Sequence, residues 1–194
     1  MSTIFWVRHG PTHAKAAVGW TDLPADLTDK VRLDRVAAHL PQNAQFVTSD
    51  LSRTRDTGEA LRRGRALLPE RAGLREMHYG TWENRPFDEV AQEDPKLSRA
   101  FWTTPGDVAP PGGESWNTLR ARVGAEVDAL TPVLSETPLV VVAHFGVILA
   151  ALQHATGMPA TAAFGFKIDN LSVTQIDYIP KGQRWRVMCV NHHP

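Results

Sequence analysis

Two stretches of this chain, Ile4-Phe5-Trp6-Val7 and Val140-Val141-Val142-Ala143, hold no polar side chain, and each runs into a histidine at its carboxyl end. A strand that is apolar at every position is buried on both faces, so the sheet containing it must be covered by helices above and below. Sheets of that kind place ligands in the loops outside the carboxyl ends of their strands. That constraint directs attention to Arg8-His9-Gly10-Pro11-Thr12 and to His144-Phe145-Gly146.

Arginine beside histidine at a strand end suits a phosphoryl group. The guanidinium forks onto phosphate oxygens, and a neutral imidazole can attack phosphorus. Gly10 is expected to let the backbone turn sharply and approach a ligand. Three more segments carry chemistry. Ser49-Asp50-Leu51-Ser52-Arg53-Thr54 follows the short strand Gln45-Phe46-Val47-Thr48 and opens a helix, so that Arg53 and backbone N–H groups could face an anion. Glu76 sits among Met77, Tyr79 and Trp82, where burial would raise its pKa enough to hold a proton. Pro111-Gly112-Gly113-Glu114-Ser115 precedes a helix, with Ser115 a good cap and Glu114 suited to the helix dipole.

The remaining pattern alternates strands and helices. Strands are expected over 3–7, 45–48, 72–77, 139–143, 171–178 and 185–190. Thr28 reads as the N-cap of a helix reaching Leu40 before Pro41. A second helix is expected over 52–68. Trp116, Leu119, Val123, Val127 and Leu130 recur at helical spacing, and a last helix runs over 147–156 to Gly157. The whole predicts one domain over 1–194, a three-layer α/β/α architecture with a mainly parallel central sheet. The segment 86–113, with Pro95, Pro105, Pro110 and Pro111 around Phe87, Phe101 and Trp102, reads as a lid-like insertion over the strand ends.

Taken in order, these segments resemble the histidine phosphatase superfamily, the phosphoglycerate-mutase-like enzymes, from the first strand through Asn170-Leu171-Ser172-Val173-Thr174. The resemblance implies phosphomonoester hydrolysis through a phosphohistidine, with His9 as nucleophile and Arg8 and Arg53 neutralising the phosphoryl group. It implies Glu76 as proton donor, and His144 as a second histidine donating to the phosphoryl oxygens. Thr12 and Asn170 match positions lining the family's pocket. Phe145 stands where a glycine is common and puts a ring near the mouth of the site. Glu83 and Glu59 read as exposed charges.

Within that family, Glu76 through Arg85, Gln92-Glu93-Asp94 and Gly157-Met158-Pro159-Ala160 resemble the α-ribazole phosphatases. The substrate expected from this is a small-molecule phosphomonoester, α-ribazole 5′-phosphate, whose flat base Trp20, Trp82 and Trp102, near site-lining or lid segments, could stack upon. Trp116 is expected in the core. His78-Tyr79-Gly80 and Gly19-Trp20 resemble the mutases, which keeps phosphoglycerate mutase-type transfer as an alternative. A catalytically silent phospho-ligand binder is a further alternative, although the nucleophile and acid positions are filled.

Composition excludes other classes. Twenty-one Lys and Arg balance twenty-one Asp and Glu, so no global field attracts nucleic acid or membrane. The single Cys189 and the absence of a signal-peptide pattern or a membrane-length apolar run predict a cytoplasmic protein, monomer or homodimer. No Cys/His cluster with ligand spacing is evident. Covalent histidine chemistry needs no metal, and no cofactor is expected.

Overall fold

In a computed structural model of the chain, described here over residues 2–134 and 137–194, five strands form one sheet in the order β2-β3-β1-β4-β5. These are β1 (Ser2–Arg8), β2 (Gln45–Thr48), β3 (Leu139–Ala143), β4 (Val173–Ile179) and β5 (Arg184–His192). β1 and β2 both run parallel to β3, whereas β4 is antiparallel to β1 and β5 antiparallel to β4. Only β4 therefore opposes the common strand direction.

The side-chain alternation of the central strands splits the core in two. Phe5, Val7, Phe46, Val140 and Val142 face α1 (Lys30–His39) and α2 (Ser52–Arg62), where they meet Leu33, Val36 and Leu61. Ile4, Trp6, Val47, Val141 and Ala143 face the other side. There they pack on α5 (Trp116–Leu130) and α6 (Phe145–Thr156) through Leu119, Val123, Val127 and Ile148. Burial on both faces is why these strands are apolar throughout. β5 alternates exposed and half-buried residues, as suits an edge.

Several expected boundaries shift for identifiable reasons. The helix after residue 28 is capped by Asp29, whose carboxylate accepts from Arg32 N, while Thr28 bonds to Asp26. α2 stops at Arg62 because Arg63 and Gly64 both adopt left-handed backbone. The chain then turns back along β2, with Phe46 N donating to Ala66 O, Leu68 N to Phe46 O and Arg71 N to Thr48 O. These bonds occupy the outer edge of β2, so the strand expected over 72–77 cannot join the sheet beside β2. Ala72–Leu74 forms a single 3-10 turn instead. β4 begins at Val173 because Leu171 is left-handed (φ 57°). α6 begins two residues earlier than expected, directly after His144.

The segment 86–113 contains α3 (Phe87–Glu93) and α4 (Pro95–Thr103), the latter capped by Asp94 with Pro95 in its first turn. Phe101 anchors α4 by packing its ring edge-on against Trp82. A last short helix, α7, covers Ala160–Ala163. No helix among the described residues is long and apolar enough to cross a membrane.

Trp116 is buried, as expected, and its indole N–H donates to Gln153 Oε1 of α6 at 2.8 Å. Trp116→Phe should cost about 1–3 kcal/mol, because it strands a buried amide oxygen as well as removing a bond. Adding Gln153→Met should recover part of that loss. Urea unfolding of the two single variants and the double variant measures the coupling. Strict additivity would mean the pair does not interact.

Candidate active site

β1 and β3 are adjacent with Arg8 paired to Ala143, so His9 and His144 are each the next residue beyond a matched pair. Their rings meet at 5.1 Å between centroids. His9 is buried and tightly held. Its backbone N–H donates to Ala143 O at 3.0 Å, and its Nδ1 lies 2.6 Å from Gly10 O. A carbonyl accepts only, so Nδ1 carries the proton and Nε2 keeps the lone pair. Burial, with the charges of Arg53 and Arg8, pulls the His9 pKa down to about 3, opposed by the Gly10 bond. The ring is neutral at physiological pH.

Gly10 has no left-handed backbone. A Cβ there would lie 2.8 Å from Leu27 Cδ2, so the close packing of the 25–27 loop requires the glycine, rather than the sharp turn expected from the sequence. Gly10 N–H is in turn held by Thr57 Oγ1 of α2 at 3.0 Å.

The two arginines reach the same space from different elements. Arg8 donates through Nη1 to Ile168 O at 2.6 Å, and its buried Nε has no protein partner. Arg53, in the first turn of α2, is almost wholly buried. It donates to Thr21 O at 2.9 Å, Gly19 O at 2.5 Å and His144 Nδ1 at 3.3 Å. The 19–21 loop that receives Arg53 is itself organised by Glu83. That carboxylate accepts from the backbone N–H groups of Gly19, Trp20, Thr21 and Tyr79 and from the Thr21 hydroxyl. Glu83 is therefore a half-buried structural anion, not the exposed charge expected. Gly19 is the only local hint of it: a Cβ there would sit 2.4 Å from Glu83 Oε1.

Glu76 lies on the segment that failed to become a strand. In place of a sheet partner, Arg122 of α5 donates to Gly73 O and Arg75 O at 2.8 Å each, and to Glu76 O at 3.2 Å. Glu114 orients that guanidinium at 2.7 and 2.9 Å while also accepting from His78 N. Glu114 thus has a structural part, and Ser115 caps α5. The Glu76 carboxyl is buried and accepts from Met77 N at 3.0 Å and Gly146 N at 3.1 Å. Gly146 allows this approach, because a Cβ there would stand 2.6 Å from Glu76 Oε1. Burial raises the Glu76 pKa above the ordinary carboxylate range, against the lowering pull of those two N–H groups and of Arg53 and Arg8.

Arg8, His9, Arg53 and Glu76 line one cavity of about 370 Å³ together with Thr12 and Phe145. The rest of its wall comprises Ala14, Ala16, Val18, Tyr79, Phe87 and Trp102. Phe145 lies under the Arg8 guanidinium at 5.5 Å. Trp102 reaches the wall, as a lid tryptophan available for stacking should, whereas Tyr79 and Phe87 were not among the expected binding residues. Phe87 and Trp102 are brought there by α3 and α4 folding back, which no local pattern encodes, and Tyr79 comes from the segment that carries Glu76.

His144 and three expected binding residues lie off that wall. His144 is wholly buried behind Arg53. Trp82 is core, packed on Phe101. Trp20 stacks outside, against His78 at 4.6 Å, and donates its indole N–H to Glu76 O. Asn170 donates to His9 O at 2.9 Å and so holds the His9 backbone. His13, four residues beyond His9, is exposed and bonds to Asp26. No group of three His, Cys, Asp or Glu side chains among the described residues could hold a metal ion.

Comparison with known proteins identifies relatives that match nearly the whole chain. Adenosylcobalamin/alpha-ribazole phosphatase of Salmonella typhimurium is 28% identical over 184 residues, covering 90% of this chain and 89% of that protein. A Yersinia pestis protein named "Probable phosphoglycerate mutase GpmB" is 28% identical over 186 residues, covering 92% and 86%. Bacillus stearothermophilus YhfR superposes with a TM-score of 0.88 at 26% identity, over 97% of this chain and 96% of that one. A mycobacterial glucosyl-3-phosphoglycerate phosphatase gives 0.85 at 26% identity, over 100% of both. The family model of the histidine phosphatase superfamily (branch 1) matches residues 4–192, and the chain belongs to that superfamily.

Proposed function

We propose that this protein hydrolyses a small-molecule phosphomonoester through a phosphohistidine on His9. The observation that carries the reading is the His9 ring: Nδ1 is pinned to Gly10 O, which leaves an unprotonated Nε2 in a cavity shared with two arginines and a buried carboxyl group. Nε2 attacks phosphorus as the ester P–O bond breaks. Arg8 and Arg53 neutralise charge on the transferring group without reorganising, since protein carbonyls already hold them. Glu76 protonates the departing oxygen, and its carboxylate then takes a proton from the water that attacks the phosphohistidine. Such a positioned acid is worth about 10²- to 10⁴-fold for a poor leaving group.

For the leaving group we propose α-ribazole 5′-phosphate or an ester of the same kind, with α3 and α4 acting as a lid. The cavity beyond the arginines is walled by Tyr79, Phe87, Trp102 and Phe145, which suits a flat aromatic base, and the Salmonella relative's name points to the same ester. A mutase reading stands equally near in sequence. A sugar acid phosphate, however, brings a carboxylate in need of its own cation. The cavity wall offers only Arg8 and Arg53, both engaged at the phosphoryl end. A silent binder would not need a proton-holding Glu76 beside a neutral histidine.

His9→Ala should abolish acid-labile phosphoenzyme labelling and lower kcat by at least about 10³-fold. Persistent labelling would place the nucleophile elsewhere. With alkyl phosphates, kcat should fall as pH rises through the elevated Glu76 pKa, because the acid form is the active one. Glu76→Gln should remove that alkaline limb and slow phosphoenzyme formation from alkyl phosphates by about 10²- to 10⁴-fold, with little effect on phosphoenzyme formation from p-nitrophenyl phosphate. Equal losses on both substrates would exclude the proton-donor role. Hydrolysis of α-ribazole 5′-phosphate should exceed that of 3-phosphoglycerate. Trp102→Ala should lower kcat/KM for the ribazole ester by about 1–3 kcal/mol, the stacking contribution of one base. No preference between the two esters would refute the assigned leaving group.

A further inference from the structure

The cavity chemistry leaves unused a row of buried hydroxyl groups behind His144. Ser49 Oγ lies 2.9 Å from His144 Nε2 and 2.7 Å from Thr54 Oγ1. Thr54 Oγ1 reaches Leu51 O at 2.8 Å, and all three side chains are fully buried. On the other side of the ring, Arg53 Nε approaches Nδ1 at 3.3 Å.

The two ends of this row determine the direction of every bond in it. A guanidinium only donates and a carbonyl only accepts. Nδ1 therefore accepts from Arg53, and the neutral ring carries its proton on Nε2 and donates it to Ser49. Ser49 donates to Thr54, and Thr54 to Leu51 O. Thr54 also has Ser49 O within reach at 3.1 Å, and Ser49 Oγ also accepts from Leu51 N–H at 3.3 Å; both added partners, a carbonyl and an amide, leave the directions unchanged.

We propose that Ser49 and Thr54 are positioning residues that hold His144 with its proton on Nε2, so that Nδ1 takes up the proton carried in by a phosphate monoester monoanion. The proposal rests on the phosphohydrolase reading. The phosphoryl O–H bond breaks and an Nδ1–H bond forms, as the Arg53 Nε–H that Nδ1 had accepted turns from the ring to a phosphoryl oxygen and opens His144 to the cavity. The ester becomes a dianion and His144 an imidazolium, with total charge unchanged. Nδ1–H then donates to the phosphoryl oxygen, and Nε2–H stays on Ser49. Inorganic phosphate recovers the proton as it leaves.

The charged groups around the ring favour this order. Burial, with the charges of Arg53 from α2, Arg8 from the end of β1 and Arg122 from α5, disfavours a cation at His144, and the ring facing it from β1, His9, is neutral. The Glu76 carboxyl is bonded to Gly146 N, two residues beyond the ring. An arriving phosphoryl group reverses that balance, and His144 can then hold a proton.

The test is calorimetric binding of inorganic phosphate between about pH 5 and about pH 9, with imidazole ¹⁵N spectra of His144 with and without phosphate. Phosphate monoesters lose their second proton near about pH 6, and inorganic phosphate near neutrality. In the wild-type protein, affinity should fall about tenfold per pH unit above that ionisation, the free ring should be protonated on Nε2, and phosphate should convert it to imidazolium. Ser49→Ala should weaken binding by about tenfold or more, flatten the pH slope and lose the single free-state tautomer. Thr54→Val should do so in part, and Thr54→Ser should restore wild-type behaviour. A Ser49→Ala protein with the wild-type slope and tautomer overturns the proposal, even if its Tm falls, because a purely structural role would lower stability alone. None of these readouts needs turnover. A protein that shows them yet hydrolyses nothing refutes the hydrolase reading and leaves the ring assignment standing.

Discussion

The parallel pairing of β1 with β3 is the contact on which the site depends. Its register sets Arg8 opposite Ala143, so the next residue on each strand is a histidine, and the two rings emerge side by side at 5.1 Å. A slip of one residue would turn Ile4 and Trp6 toward the wrong helix layer as well as separating the rings. Both faces of these strands are buried, so the hydrophobic core enforces the register that the chemistry requires. Packing and catalysis share one constraint.

Around that pair the protein keeps two guanidinium groups out of water, which is costly unless each has acceptors. It supplies carbonyls rather than carboxylates: Ile168 O for Arg8, and Gly19 O and Thr21 O for Arg53. Carboxylate partners would have cancelled the charge a phosphoryl group needs. The acids nearby are set to other tasks. Glu83 ties down the loop that presents those carbonyls, Glu114 orients Arg122, and Glu76 is held where burial favours its protonated form. Helix α2 links the parts, because Arg53 faces the cavity while Thr54 and Thr57 reach back toward His144 and the Gly10 loop.

Much of the fold was legible because the central strands are apolar at every position, a pattern with few alternatives. The strand expected over 72–77 shows where such reading fails. Whether an apolar stretch becomes a strand depends on a free sheet edge, and residues 66–71 had already taken the one beside β2. At the site, His9, Arg8, Arg53, Glu76, Thr12 and Phe145 converge as read. Trp82 and Trp20 do not, since an aromatic residue in sequence looks the same whether it faces a core or a ligand. Phe87 and Trp102 reach the cavity only through the way α3 and α4 fold back.

The sequence by itself determined the layer architecture, the strand-end placement of both histidines and the chemistry expected of them, because these follow from local apolar runs and residue type. Only the tertiary structure decided which nitrogen of each ring is free, which carboxylate is structural and which is poised to hold a proton, and which rings wall the cavity. Those properties depend on distances and burial between residues far apart in the chain. Glu76 meets Gly146 across seventy positions, and Ser49 meets His144 across ninety-five.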